Sequence, residues 1–236
     1  MSLTGRTVAV LGGSSGIGAR VAQQAAGLGA DVVITGRDPD RLAAAAADIG
    51  ARRAIRFDAH DDAAVEELFA DLGPVDHVVS MVGDSMAGGF LTTTPATMRH
   101  VLDSKFWANW TIARHAAGRL RYGGSITFTA GTGGRPHEIS GSYVANLGLA
   151  ALVEGLAVEL APGARANAVA PTFMDTPFWR AMPRADLDAT KEQVTSRIPL
   201  GRLGTLDEVA ATYLHLMTNG FVTGQVLSVD GGIMLR

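Results

Sequence analysis

At 236 residues, 47% hydrophobic and 18% charged with a formal net charge of −3, the chain has neither the basic excess of a nucleic-acid binder nor the bias of a disordered polymer. A chain of this size hides about 70 to 75% of its extended surface on folding, so one domain across 1–236 with a large core is expected. There is no cysteine, no N-terminal basic and apolar signal and no apolar run approaching roughly 18 residues, which predicts a cytoplasmic protein with no disulfides and no membrane or nucleic-acid partner.

In chain order, short β-branched runs alternate with alanine-rich helical segments. "TVAVLG" (7–12) is followed by a helix from Gly16, "DVVITG" (31–36) by a helix near 39–48, and "RAIRFD" (53–58) by a helix near 61–71. "VDHVVSM" (75–81), a helix near 95–120, "SITFTA" (125–130), a long apolar helix bearing Tyr143 and "ARANAVAP" (164–171) continue the pattern. Apolar strands without strict alternation are buried on both faces, so the expected fold is α/β: a Rossmann-like, doubly wound parallel sheet in a three-layer sandwich. The alternation breaks once, at 172–201, an irregular, proline-punctuated stretch that reads as a lid or substrate insert. A helix near 206–218 and the strand "QVLSVDGG" close the chain. The six histidines show no paired ligand spacing, so no metal site is expected.

The turn "LGGSSGIGARVA" leaves the first strand and opens the first helix. Gly12, Gly16 and Gly18 allow a tight turn and a close backbone approach, with Ser14, Ser15 and Ile17 between them, so that N–H groups and the helix N-terminus can meet a diphosphate. At the end of the second strand Arg37 stands where an acidic side chain would hydrogen-bond the ribose of NAD. An arginine there pairs with a 2′-phosphate instead, which favours NADP(H), while the neighbouring Asp38 keeps NAD(H) open. Asp58 is placed to meet the adenine edge or, alternatively, to cap the helix that follows.

These pieces, with "GSYVANLGLAALVEGLAVELAP", "ANAVAPTFMDTP", "PLGRLGTLDEVA" and "TGQVLSVDGG", resemble the short-chain dehydrogenase/reductase family over essentially the whole chain. The resemblance implies a nicotinamide cofactor, carbonyl reduction or alcohol oxidation, and a homotetramer built through long helices and the last strand. It also implies an active-site tyrosine, a lysine four residues later, a serine leaving the preceding strand and an asparagine on the fourth helix. Tyr143 stands at the tyrosine position, but Leu147 stands at that of the lysine and Ala150 at the later lysine position of the enoyl reductases. The serine region holds Ala130 and Gly131, with Thr132 the first hydroxyl, and the asparagine position is read as Ser104. Gly83 survives from the turn after the fourth strand, and Thr176 matches the residue that holds the nicotinamide carboxamide.

A phenol with no cation beside it stays protonated at neutral pH, the form from which reduction starts. The expected function is therefore an atypical NADP(H)-dependent carbonyl reductase, with Tyr143 as proton donor, Thr132 as oxyanion partner and Ser104 near the centre. Phe178, Trp179, Met182, Met86 and Phe90 suggest a bulky apolar ketone. Lys105 and Lys191 are the only lysines. Lys105 is one source of the missing charge, but adjacent helical residues point about 100° apart, which favours an exposed or interface position for it. His137 is an alternative donor, or a loop histidine at the rim. Two other readings stay open: a silent NADP(H)-binding sensor or partner subunit, and a redox-neutral dehydratase or cyclase.

Overall fold

The computed structural model describes residues 2–235. Its centre is a seven-stranded sheet in the order β3-β2-β1-β4-β5-β6-β7. The strands are β1 (Thr7–Leu11), β2 (Asp31–Gly36), β3 (Arg53–Arg56), β4 (Val75–Ser80), β5 (Leu120–Thr129), β6 (Ala164–Pro171) and β7 (Val226–Val229), and every pair is parallel. Strand order reverses between β1 and β4, and at such a switch the helices diverge and open a crevice at the carboxyl ends of the strands. The helices are α1 (Gly16–Gly27), α2 (Pro39–Ile49), α3 (Asp62–Leu72), α4 (Pro95–Leu102), α5 (Ala108–Ala117), α6 (Ser140–Glu159), α7 (Arg184–Arg197) and α8 (Leu206–Thr218).

The expected doubly wound sandwich is what forms. Val8 and Val10 of β1 pack with Val21 of α1 and Val209 and Tyr213 of α8 on one face. Leu11, Phe128, Phe69, Ile112 and Leu149 pack on the other, beneath α3, α5 and α6. Each fully buried large side chain in these layers contributes about 1.5 to 3 kcal/mol, which is what holds the helices to the sheet. Away from the crevice, the buried Asp76 ties three strands together, accepting from Arg6 at 2.7 Å, Arg121 at 2.7 Å and the Thr7 N–H at 2.9 Å. Burial pushes this carboxyl up, but those donors outweigh it and hold it below the usual carboxylate range.

Three expectations need correction. The stretch 172–201 is not irregular: it carries a short 3₁₀ turn, Pro177–Trp179, and the four-turn helix α7. None of α7's side chains is buried, so the apolar periodicity that betrays a helix is missing from its sequence. α6 is, by length and composition, apolar enough to cross a bilayer, against the expectation of no such run; it packs on β6 and α4, with 39% of its apolar stretch buried. The helix expected at 95–120 is continuous but not uniform. Over Asp103–Trp107 it widens into a π turn, in which the Ala108 N–H reaches back five residues to the Asp103 carbonyl.

Candidate active site

The glycine-rich turn is shaped by close approaches that a side chain would block. A Cβ on Gly18 would stand 2.3 Å from the Gly12 carbonyl oxygen, and one on Gly36 would stand 2.8 Å from Ser14 Oγ. Gly12 and Gly16 both have positive φ, at 87° and 54°. Ser15 is the N-cap of α1 yet makes no side-chain capping bond, and α1 carries no acidic residue in its first turn. Its N-terminal N–H groups and dipole are therefore directed at the crevice, the arrangement a diphosphate needs. Ile17 follows in the first turn of α1, and Thr176 leans over Gly16, whose Cβ would be 3.2 Å from that of Thr176.

At the ribose end the structure separates the two neighbouring charges. Asp38 caps α2, accepting from the Arg41 N–H at 3.1 Å and from its guanidinium at 2.9 Å. Asp38 is thus already engaged, while Arg37 is exposed and its guanidinium makes no hydrogen bond or ion pair among the described residues. Asp58 does not cap the next helix; Asp61 does, accepting from the Ala63 and Ala64 N–H groups. Asp58 instead closes a local turn with His60, whose hydrogen bond holds the carboxyl below its usual range despite partial burial. These features fit a dinucleotide with a 2′-phosphate. Gly12, Ser14, Ser15, Gly16, Ile17 and Gly18 would hold the diphosphate, Arg37 the phosphate on the ribose, Asp58 the adenine edge, and Gly83 and Thr176 the nicotinamide end.

The chemical centre lies where β4 and β5 end and α6 begins. Tyr143, half-buried, sits in the first turn of α6. The loop after β4 is fastened beside it: the Met86 N–H donates to Ser142 Oγ at 2.8 Å, the Gly88 N–H to the Glu138 carbonyl at 2.7 Å, and Ser140 Oγ to the Gly88 carbonyl at 3.0 Å. The Met86 and Met98 sulfurs close on Gly141, where a Cβ would lie 2.6 and 3.1 Å from them. Opposite, Phe173 stacks on Trp179 with centroids 5.0 Å apart, and Phe178 meets Trp179 edge-on at 4.9 Å. Lys191 ties α7 to that segment through Asp175 at 2.6 Å.

The remaining expected groups separate on inspection of their partners. Ser104 is not a reacting hydroxyl: fully buried, it accepts from the Asp84 N–H and donates to the Val101 carbonyl, both at 3.2 Å, and so positions the loop. The Thr132 hydroxyl is closed to solvent and has no partner among the described residues. Leu147 is 58% exposed and His137 is exposed at the rim. Lys105, expected on the surface or at an interface, is only 8% exposed. The π turn is the reason, because the extra residue in it alters the angle at which neighbouring side chains leave the helix. Asn109 secures that turn, its amide donating to the Lys105 carbonyl at 2.6 Å and the Val82 carbonyl at 3.0 Å while its Oδ1 accepts from Ser80 at 2.6 Å. Asn146 is a further residue that sequence reasoning passed over. One helical step of three from Tyr143, it shares that residue's face and donates to the Gly131 carbonyl at 3.0 Å. The spacing in "YVAN" was the available signal.

A family model described as enoyl-(acyl carrier protein) reductase matches residues 12–234. A short-chain dehydrogenase/reductase of Gibberella fujikuroi is 32% identical, with 99% of this chain and 96% of that protein covered. Carbonyl reductase family member 4 of Xenopus tropicalis is 30% identical, with 98% and 99% covered. A small-chain dehydrogenase solved in complex with NADPH superposes with a TM-score of 0.84 at 30% identity, covering 98% of this chain and 99% of that one.

Proposed function

The chain belongs to the short-chain dehydrogenase/reductase family of oxidoreductases, and from that premise we propose that it is an NADP(H)-dependent reductase of a bulky apolar ketone, with Tyr143 as proton donor. The observation that carries the reading is one of position. A cradle for a 2′-phosphorylated dinucleotide, with Asp38 engaged and Arg37 free, opens onto a half-buried tyrosine at the head of α6.

When bound, the nicotinamide supplies hydride to the carbonyl carbon. The residues of this chain do the rest. The uncapped start of α1 and Arg37 fix the anionic ends of the cofactor, and Thr176 reaches from the α7 side over Gly16 to set the nicotinamide end. Phe173, Phe178 and Trp179 on one side and Met86 and Phe90 on the other offer apolar surface to the ketone. The Tyr143 hydroxyl gives its proton to the carbonyl oxygen, help typically worth about 10² to 10⁴ in rate. A homotetramer is supported by exposed Trp107 and Val158 on the long helices and Val226 on the last strand, and light scattering on the purified protein tests it.

The functional test is NADPH oxidation followed at its absorbance maximum across a panel of aryl and polycyclic ketones, with NADH alongside. Turnover with NADPH favoured over NADH is expected. The specific observation behind the second reading, a cofactor-binding protein with no turnover, is that Leu147 is an exposed apolar side chain, Gly131 has no hydroxyl and the Thr132 hydroxyl is enclosed, so the family's lysine and serine have no counterpart at those positions. Tight NADPH binding by calorimetry with no oxidation of any panel member would establish it.

A further inference from the structure

The chain has two lysines, and they are in opposite circumstances. Lys191 is spent on Asp175 at 2.6 Å. Lys105 is more than nine-tenths buried, and its ammonium makes no hydrogen bond or ion pair among the described residues. An ammonium so nearly enclosed and without a partner is costly, and few such groups persist in a fold unless something meets them.

The course of its side chain shows where that meeting occurs. The stem passes beneath Gly83 at the exit of β4, where a Cβ would stand 3.0 Å from Lys105 Cγ and 3.2 Å from its Cβ. The ammonium then ends beside Gly131 at the exit of β5: a Cβ on Gly131 would be 3.9 Å from Lys105 Nζ and 3.5 Å from Asn146 Nδ2. The Lys105 ammonium thus comes within ordinary contact distance of where a side chain at position 131 would begin, on the strand end facing the helix of Tyr143. Two enclosed atoms without a hydrogen-bond partner among the described residues, Asn146 Oδ1 and Thr132 Oγ1, lie on residues that adjoin Gly131. The charges around Lys105 are few. Asp84, from the loop after β4, acts on it but is already paired with His100 at 2.9 Å.

We propose that Lys105 is a catalytic residue, the cation of this active site, donating a hydrogen bond from its ammonium to the carbonyl oxygen of the ketone from the β5 side. It takes over the electrostatic work that a serine at 131 and a lysine at 147 would share. As the carbon accepts hydride, the C=O π pair moves onto oxygen, the oxygen takes the Tyr143 proton, and solvent returns a proton to the phenolate. Lys105 remains protonated throughout, its charge placed where the negative charge develops. Burial pulls this ammonium down to about 8, against the opposing pull of Asp84, so it is still charged at neutral pH.

The proposal rests on the reductase reading, and the test separates the two. With ketone turnover established in the wild type, Lys105→Met should lower kcat/KM by about 10² to 10³ while its NADPH affinity changes less than threefold, and Lys105→Arg should recover part of the loss. Lys105→Met as active as the wild type would overturn the proposal. A second measurement needs no turnover. Protein labelled with 13C at the lysine ε-carbons shows two methylene signals, assigned by the one missing in Lys105→Met or, if that variant does not fold, in Lys191→Gln. In the NADP⁺-loaded wild type, benzoate as an anionic stand-in for the alkoxide should move the Lys105 titration midpoint upward by at least half a pH unit. A midpoint that benzoate leaves in place overturns the proposal. If no ketone is reduced but the midpoint moves, the reductase reading fails and Lys105 still faces the ligand.

Discussion

The cofactor cradle and the chemical centre lie side by side along the same row of strand ends, yet they are built on different principles. In the cradle, backbone does the binding: Gly12, Gly18 and Gly36 bring main chain against main chain or against Ser14, leaving almost no freedom in which residue can stand there. In the chemical centre, side chains do the work, and one charge can arrive from several directions. A cradle of this kind tolerates little change in its residues, whereas a centre can hold Leu147, Gly131 and Lys105 and still present a charge. Where geometry is imposed by the backbone, position in sequence is binding; where it is imposed by charge, only position in space is.

Four measurements would break or sharpen this contrast. The largest effect is expected at the centre: Tyr143→Phe should reduce kcat by about 10² to 10⁴ with NADPH affinity nearly unchanged, seen by steady-state kinetics beside fluorescence titration. In the cradle, Gly18→Ala drives a methyl into the Gly12 carbonyl, 2.3 Å away, where only backbone could yield. It should cost about 1 to 3 kcal/mol of stability and weaken NADPH at least tenfold, read by denaturant unfolding and calorimetry. Arg37→Ala removes one charge-assisted contact to the 2′-phosphate and should weaken NADPH by about 1.5 to 3 kcal/mol while leaving NADH affinity alone. Equal losses for the two cofactors would mean that Arg37 does not read the phosphate.

The smallest effect carries the opposite sign. Because burial lowers the Lys105 ammonium from its ordinary value to about 8, the folded state holds that proton less well than the unfolded chain does. The resulting destabilisation is fully present below pH 8 and fades as pH rises from there past the unfolded value, since the unfolded chain then binds more protons than the native one. Lys105→Met should consequently raise Tm by a few degrees at pH 7, an advantage bounded by about 3 kcal/mol, and the advantage should shrink by pH 10 in differential scanning calorimetry.

The sheet, its switch point and the cradle were readable in the amino-acid order, because buried parallel strands and close-approach glycines leave periodic or spaced marks. α7 was not readable, since a helix with no buried side chain prints no apolar stripe. An even helical step puts Ser104 toward the centre and turns Lys105 away. The i to i−5 bond from Ala108 to Asp103 breaks that even step, and no residue within 103–107 is a proline or glycine to announce it. Asn109 does announce it, but only in three dimensions, through its grip on the Lys105 carbonyl.

That widened turn has a consequence for how the active site can be altered. The strands and their glycines are locked by packing on both faces, whereas the helix from Pro95 to Ala117 takes up one extra residue in its π turn and stays continuous. Removing one residue from the turn would tighten the coil, strand Asn109 from its carbonyl and rotate a different side chain toward Gly131. The charge at the heart of the site thus sits on a dial, and the sheet beside it on a fixed plate.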